Sequence, residues 1–161
     1  MTKFYLFRHG ETFATKENKD YFLKIFSAPI LEEGKPAIRK LATYLKDKPS
    51  DANYSSPLKR CKQTVEIVNR ITGKDFIFDN RLREFFMETH WGLEKRVKSL
   101  LNEIELRQYQ SITICTHGAV LMMLKKLLIK RSKQKISFND YPKPGVLWII
   151  EDNKLEELNF N

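Results

Sequence analysis

Two of this chain's three histidines follow short apolar runs and precede glycine. Lys3-Phe4-Tyr5-Leu6-Phe7 leads into Arg8-His9-Gly10-Glu11-Thr12, and Ile112-Thr113-Ile114-Cys115 leads into Thr116-His117-Gly118. A neutral imidazole is a good nucleophile toward phosphorus and can carry a covalent intermediate. A guanidinium beside it supplies paired hydrogen bonds to phosphate oxygens, and glycine lets the backbone approach closely. A buried strand that ends in His-Gly and turns into a helix places its histidine at the carboxyl edge of the sheet, where open α/β sheets bind ligands. Two such junctions bring His9 and His117 to one site, and Arg8 beside His9 suggests a nucleophile poised to take a phosphoryl group.

A third segment points to the same edge. In Tyr54-Ser55-Ser56-Pro57-Leu58-Lys59-Arg60, followed by Gln63-Thr64, Ser56 is suited to cap a helix and Pro57 to occupy its first turn. This places Arg60 one turn inside a helix that starts beside the strand ends. Gly118 opens another helix, whose N-terminal amides add to a field that favours anions.

Other chemistries find no footing. A thiolate phosphatase needs an arginine six positions after its cysteine, but Ile67 follows Cys61 and Leu121 follows Cys115 at that spacing. Two cysteines make no disulfide scaffold, and a domain of this size needs none. No cysteine or histidine pair has metal-ligand spacing, so neither metal nor cofactor is expected.

With 161 residues and 42% hydrophobic content, the chain fits one domain spanning residues 1–161 with a full core. No apolar run approaches the roughly 20 residues needed to cross a bilayer. A strand begins almost at the first residue, leaving no room for a signal peptide. The expected location is the cytoplasm, with no membrane partner. The net charge of +9 attracts anions in general. Its densest stretch, Lys125-Lys126 with Lys130-Arg131-Ser132-Lys133-Gln134-Lys135, falls at a helix end where cations complement the dipole, and reads as a solvated face. No RNA-binding aromatic signature or zinc finger accompanies it, so nucleic acid is not an expected partner.

Periodicity and breakers predict strands at 3–7, 52–55, 76–78 and 111–115 and a closing hairpin of 146–150 and 154–158 around Asp152-Asn153. Helices are predicted over 34–46, from Pro57 to Ile71 with Thr72-Gly73 as the stop, over 91–106 and over 118–129. The stretch up to Ala28 reads as polar connection. Alternating strands and helices give an α/β fold, a three-layer α/β/α sandwich around a mostly parallel sheet.

The chain resembles the histidine phosphatase superfamily, the phosphoglycerate mutase-like proteins. The resemblance rests on Arg8-His9-Gly10-Glu11-Thr12, Pro29-Ile30-Leu31-Glu32-Glu33-Gly34, Ser55-Ser56-Pro57-Leu58-Lys59-Arg60, Gln63-Thr64, Arg81-Leu82-Arg83-Glu84 and Thr116-His117-Gly118, in family order. It implies that His9 becomes the phosphohistidine and that Arg8, Arg60 and His117 complete the phosphate pocket, helped by Gly118. It implies that Glu84 protonates the leaving oxygen and then activates water. A carboxyl in that role should titrate above the ordinary range. Thr15 stands where the family often has asparagine, so one hydroxyl replaces an amide as phosphate donor. The usual Gly-x-Trp-Glu-Gly-like stretch is replaced by Phe85-Phe86-Met87-Glu88-Thr89-His90-Trp91-Gly92, which runs straight into a helix. The lid is short, the site is expected to be open, and Glu88 and His90 are alternative acids.

These features imply a metal-independent phosphomonoesterase with a phosphohistidine intermediate, acting on a phosphorylated small molecule or a phosphoprotein. A phosphoprotein phosphatase of the phosphohistidine type and a non-catalytic phosphate-binding relative are the alternatives. Mutase chemistry is disfavoured, because an open site holds an intermediate poorly against water. Specificity falls to Thr15–Ala28 and Phe85–Trp91. Truncating Arg8, Arg60 or His117 is expected to relieve like-charge crowding at little cost in stability.

Overall fold

A computed structural model describes residues 2–129 and 140–161 of the chain. Six strands, β1 (Lys3–Arg8), β2 (Ala52–Ser55), β3 (Ile77–Phe78), β4 (Ser111–Thr116), β5 (Val146–Glu151) and β6 (Lys154–Asn159), form one sheet in the order β3-β2-β4-β1-β5-β6. The first four run parallel, and β5 and β6 close one edge antiparallel. The helices are α1 (Phe13–Glu17), α2 (Lys35–Lys46), α3 (Lys59–Thr72), α4 (His90–Leu106) and α5 (Gly118–Leu128).

Alternation along the strands decides which helices cover which face. Phe4 and Leu6 of β1, Ile112 and Ile114 of β4, and Trp148 of β5 pack with Leu93, Val97 and Leu100 of α4 and Val120, Leu121 and Leu124 of α5. Tyr5, Phe7 and Cys115 point the other way, into Ile38, Leu41 and Leu45 of α2 and Val65 and Val68 of α3. The result is the three-layer α/β/α sandwich. Its central strands are buried on both sides, as a parallel sheet between helices requires.

The β5–β6 turn is Asp152-Asn153, both at positive φ (51° and 62°), the primed geometry favoured by a two-residue hairpin. Gly73 caps α3 at φ 72°, so Thr72-Gly73 ends that helix as its residues demand. The start of α3 differs from expectation. Its N-cap is Leu58, and Ser56 lies two residues before it. The stretch before Ala28 is also more structured than its polarity implied, since it holds α1 and a single 3-10 turn, Phe22–Lys24. Lys125 and Lys126 lie in the last turn of α5, Lys125 over the Trp148 ring and Lys126 paired with Glu94. The basic run from Lys130 to Lys135 lies outside the described residues.

Candidate active site

Parallel register delivers the two histidines together. Arg8 at the end of β1 pairs with Thr116 at the end of β4, and the His9 amide donates to the Thr116 carbonyl at 3.1 Å. The two imidazoles follow at once, with ring centroids 5.3 Å apart and no exposed surface. From β2, on the other side of β4, the chain passes through Ser56 into α3 and places Arg60 in its first turn.

The other motif residues hold this edge in shape. The Gly10 amide donates to the Thr64 hydroxyl at 2.8 Å, and that hydroxyl donates to the Arg60 carbonyl at 2.7 Å. The Gln63 amide oxygen accepts from the Ile30 amide at 3.0 Å, and the Leu31 amide donates to the Glu11 carbonyl at 2.7 Å. Gly34 lies so close to Glu11 that a Cβ there would sit 2.7 Å from the Glu11 Cβ, which explains a glycine at that position. The Thr116 hydroxyl donates to the Leu82 carbonyl at 2.7 Å, anchoring the segment that carries Glu84.

His9 is prepared as a nucleophile. Its Nδ1 lies 2.8 Å from the Gly10 carbonyl, which can only accept, so Nδ1 carries the proton and Nε2 keeps its lone pair. Burial, and then the positive charges of Arg8, His117 and Arg60, hold its pKa well below that of an ordinary histidine. The ring is therefore neutral at physiological pH.

The residues whose charges act on His9 also carry buried nitrogens without a hydrogen-bond partner. Among the described residues, four buried side-chain polar atoms lack a hydrogen-bond partner, and three of them are Arg8 Nε, Arg60 Nε and His117 Nδ1. Unpaired buried donors are costly unless a ligand completes them. The two arginine nitrogens have no acceptor, and His117 Nδ1 has only the Glu84 carboxylate at ion-pair distance, so this strand edge suits an anion. The ligand atoms of His9, Glu84 and His117 also lie within 4.8 Å of one another, a grouping that sequence spacing did not disclose. Arg8 and Arg60 set the field there, because their positive charges act on both His9 and Glu84, and the site favours an anion over a cation.

His117 and Glu84 form a pair. His117 Nε2 lies 2.7 Å from the Ser56 hydroxyl and 3.6 Å from Cys61 Sγ. Its Nδ1 is 3.3 Å from Glu84 Oε2, at ion-pair distance but outside hydrogen-bonding geometry. Burial alone would lower the pKa of His117, but the Cys61 sulfur and the Glu84 carboxylate more than offset it and raise the value. Burial would likewise raise Glu84, yet His117, Arg60 and Arg8 bring it down to about 2. The expectation of a raised carboxyl is corrected: with no phosphate charge beside it, Glu84 is ionised.

Arg60 is fully buried, with Nη1 donating to the Ile25 carbonyl at 2.5 Å and Nη2 to Glu84 Oε2 at 3.1 Å. Its removal would leave the Ile25 carbonyl without this donor and Glu84 with only His117 and the Phe85 amide, so that truncation is expected to cost stability. The guanidinium of Arg8 lies under the Tyr141 ring at 4.7 Å, and that of Arg60 lies under the Tyr21 ring at 4.2 Å. Tyr141 also packs on Gly118, where a Cβ would come within 2.7 Å of its ring. The rings of Tyr21 and Tyr141 and the Ile25 carbonyl thus lie on the two pocket arginines, and both histidines are fully buried, whereas the short lid predicts an open site.

Of the alternative acids, Glu88 is engaged with Arg96 at 3.1 Å, and the His90 ring lies 5.0 Å from that of Phe85. Glu84 is the carboxylate in contact with Arg60 and His117. Thr15 is engaged locally, its hydroxyl accepting from the Thr12 amide at 2.8 Å and donating to the Thr12 carbonyl at 3.1 Å in the cap of α1. Sequence reasoning missed Tyr21 and Tyr141 as site residues and read Ser56 as a cap. An aromatic in a polar connection carries no periodic signal, but two tyrosines in otherwise unpatterned segments were a hint.

The sequence profile of the histidine phosphatase superfamily (branch 1) matches residues 4–94. The Escherichia coli protein named probable phosphoglycerate mutase GpmB is 34% identical over 121 residues, 74% of this chain and 54% of that protein. The chain thus spans about half the length of that relative. The alpha-ribazole phosphatase from Shigella flexneri superposes with a TM-score of 0.76 at 21% identity, covering 98% of this chain and 96% of that one. A phosphoglycerate mutase from Bacillus anthracis superposes at 0.74 and 16% identity, covering 99% and 93%. At those identities the structures speak for the fold. The profile spans more than half of the chain, including Arg8-His9-Gly10, Arg60 and Glu84, and the chain belongs to the histidine phosphatase superfamily.

Proposed function

We propose that this protein hydrolyses phosphomonoesters through a phosphohistidine on His9. The observation that carries the reading is the prepared nucleophile: a neutral, buried imidazole whose proton is fixed on Nδ1 by Gly10, with the His117 ring 5.3 Å away and the positive charges of Arg8 and Arg60 acting on it. Nε2 attacks phosphorus while the leaving oxygen departs with a proton. The guanidiniums and the His117 imidazole offset the charge on the transferring group. Glu84, ionised in the free site, gains its proton as a phosphate dianion enters, donates it to the leaving oxygen, and then accepts one from the attacking water.

Hydrolysis of a nitrophenyl phosphate should proceed equally with and without excess chelator, and vanadate should inhibit it. Activity lost to chelator and restored by a divalent ion would overturn the metal-free mechanism and assign the His9, Glu84 and His117 cluster to a cation. Stoichiometric phosphate binding without turnover would instead mark a non-catalytic relative.

A phosphoprotein substrate is favoured by a second observation. Phe22, Leu23, Phe26, Phe86 and Met87 are exposed, Leu23 at 98%, and Phe26 meets Phe86 edge to face at 6.0 Å. This contact joins the two stretches to which specificity was assigned. An exposed apolar patch on these stretches suits a bulky partner better than a small sugar phosphate. The mutase reaction of the named relative needs an intermediate held away from water, and the Tyr21 and Tyr141 rings over the arginines are the feature here that favours it. Assaying 3-phosphoglycerate beside phosphopeptides decides between them.

A further inference from the structure

Tyr21 lies in a connecting segment, yet its side chain enters the pocket. The phenol oxygen is 2.8 Å from Thr12 Oγ1 and 3.5 Å from His9 Nε2, the nitrogen left with a lone pair. Three contacts fix the ring: the Arg60 guanidinium lies 4.2 Å beneath it, Phe13 meets it at 83° and 5.8 Å, and His9 at 69° and 6.4 Å. Thr15, the residue expected to donate to phosphate from this side, is engaged on the Thr12 backbone.

We propose that Tyr21 donates a hydrogen bond to the transferring phosphoryl group, in the place left by Thr15. The inference rests on the phosphohistidine reading of the same site. Among the described residues the phenol oxygen is the hydroxyl in contact with the attacking nitrogen, and an oxygen of a phosphate held at Nε2 falls within its reach. Burial raises the pKa of Tyr21, so the hydroxyl keeps its proton through the physiological range. A neutral O–H donor to a charged phosphate oxygen makes a short, strong bond, and rigid stacking means little ordering is needed to form it. The alternative is that the same ring blocks the anion and must withdraw.

Tyr21→Phe separates the two, because it removes the hydroxyl and keeps the stack. Vanadate and inorganic phosphate binding should be measured by calorimetry on the wild type and the variant, alongside turnover and melting temperature. Loss of one hydrogen bond to a charged group predicts vanadate binding weaker by about tenfold or more. Phosphate binding should weaken less, because vanadate mimics the transition state. Catalytic turnover should fall in proportion to the vanadate effect, while the melting temperature should drop only by the modest amount expected for the lost Thr12 contact. Vanadate affinity that stays the same overturns the proposal, and affinity that improves makes Tyr21 a plug. Wild-type protein that binds vanadate but forms no phosphohistidine would sink the hydrolytic reading while leaving the binding test intact. Wild-type protein that binds neither anion contradicts both.

Discussion

The Ser56 hydroxyl lies 2.7 Å from Nε2 of His117, across the ends of two neighbouring parallel strands. That contact turns the other ring nitrogen, Nδ1, toward Glu84 Oε2 at 3.3 Å. Ser56 therefore orients a pocket histidine without entering the pocket. Ser56→Ala should lower turnover by about tenfold, the scale of one misaligned hydrogen bond, and should leave substrate affinity nearly unchanged. Steady-state kinetics that show only a KM change would assign Ser56 to substrate contact instead.

Arg8 and Arg60 should part company in stability. Each removal should cost at least about 2.7 kcal/mol of transition-state stabilisation. Arg60→Ala also leaves the Ile25 carbonyl without its donor and takes one of two cations from Glu84, which keeps His117 and the Phe85 amide, so it should destabilise folding by about 1 to 3 kcal/mol. Among the described residues Arg8→Ala breaks a stack on Tyr141 and removes a charge that opposes that of Arg60, so it should barely move the melting temperature. Equal melting temperatures for the two variants would contradict the network around Arg60.

Much of this site can be read from one strand of text, because it is built from strand ends. His-Gly after an apolar run marks each junction, and β1–β4 register does the rest. The covering layer was not legible. Tyr21 and Tyr141 reach the arginines from irregular segments whose course depends on tertiary packing, not on period or propensity. Glu84's ionisation was misjudged for a similar reason. A sequence names the role of a carboxyl, but its pKa follows from the distances to His117, Arg60 and Arg8.

Acid stability should report that ionisation. The folded value of Glu84, about 2, lies below the ordinary 4.5. Its contribution is therefore complete above about pH 4.5 and is lost as pH falls from there through about 2. Glu84→Gln lacks that contribution at every pH. The gap in unfolding free energy between wild type and variant should be widest at neutral pH and should close across this acid window. Parallel pH curves would show that Glu84 is not held down by its neighbours.

Glu84 should also reveal itself by leaving group. An alkyl oxygen is strongly basic and needs a proton to depart, whereas nitrophenolate needs almost none. Glu84→Gln should damage alkyl phosphate turnover roughly a hundred- to ten-thousandfold and nitrophenyl phosphate turnover far less. Glu88→Gln and His90→Ala should show no such difference. A differential confined to either of those would move the acid to α4 or the segment before it.

The central claim is that His9 takes the phosphoryl group, and trapping it is the most direct test. Protein mixed with a labelled phosphomonoester and quenched without acid should carry label on His9. That label should be acid-labile and base-stable, as a phosphoramidate bond requires, and His9→Ala should lose both label and turnover. Label of full strength in His9→Ala, or wild-type label that survives acid, would place the nucleophile on another residue.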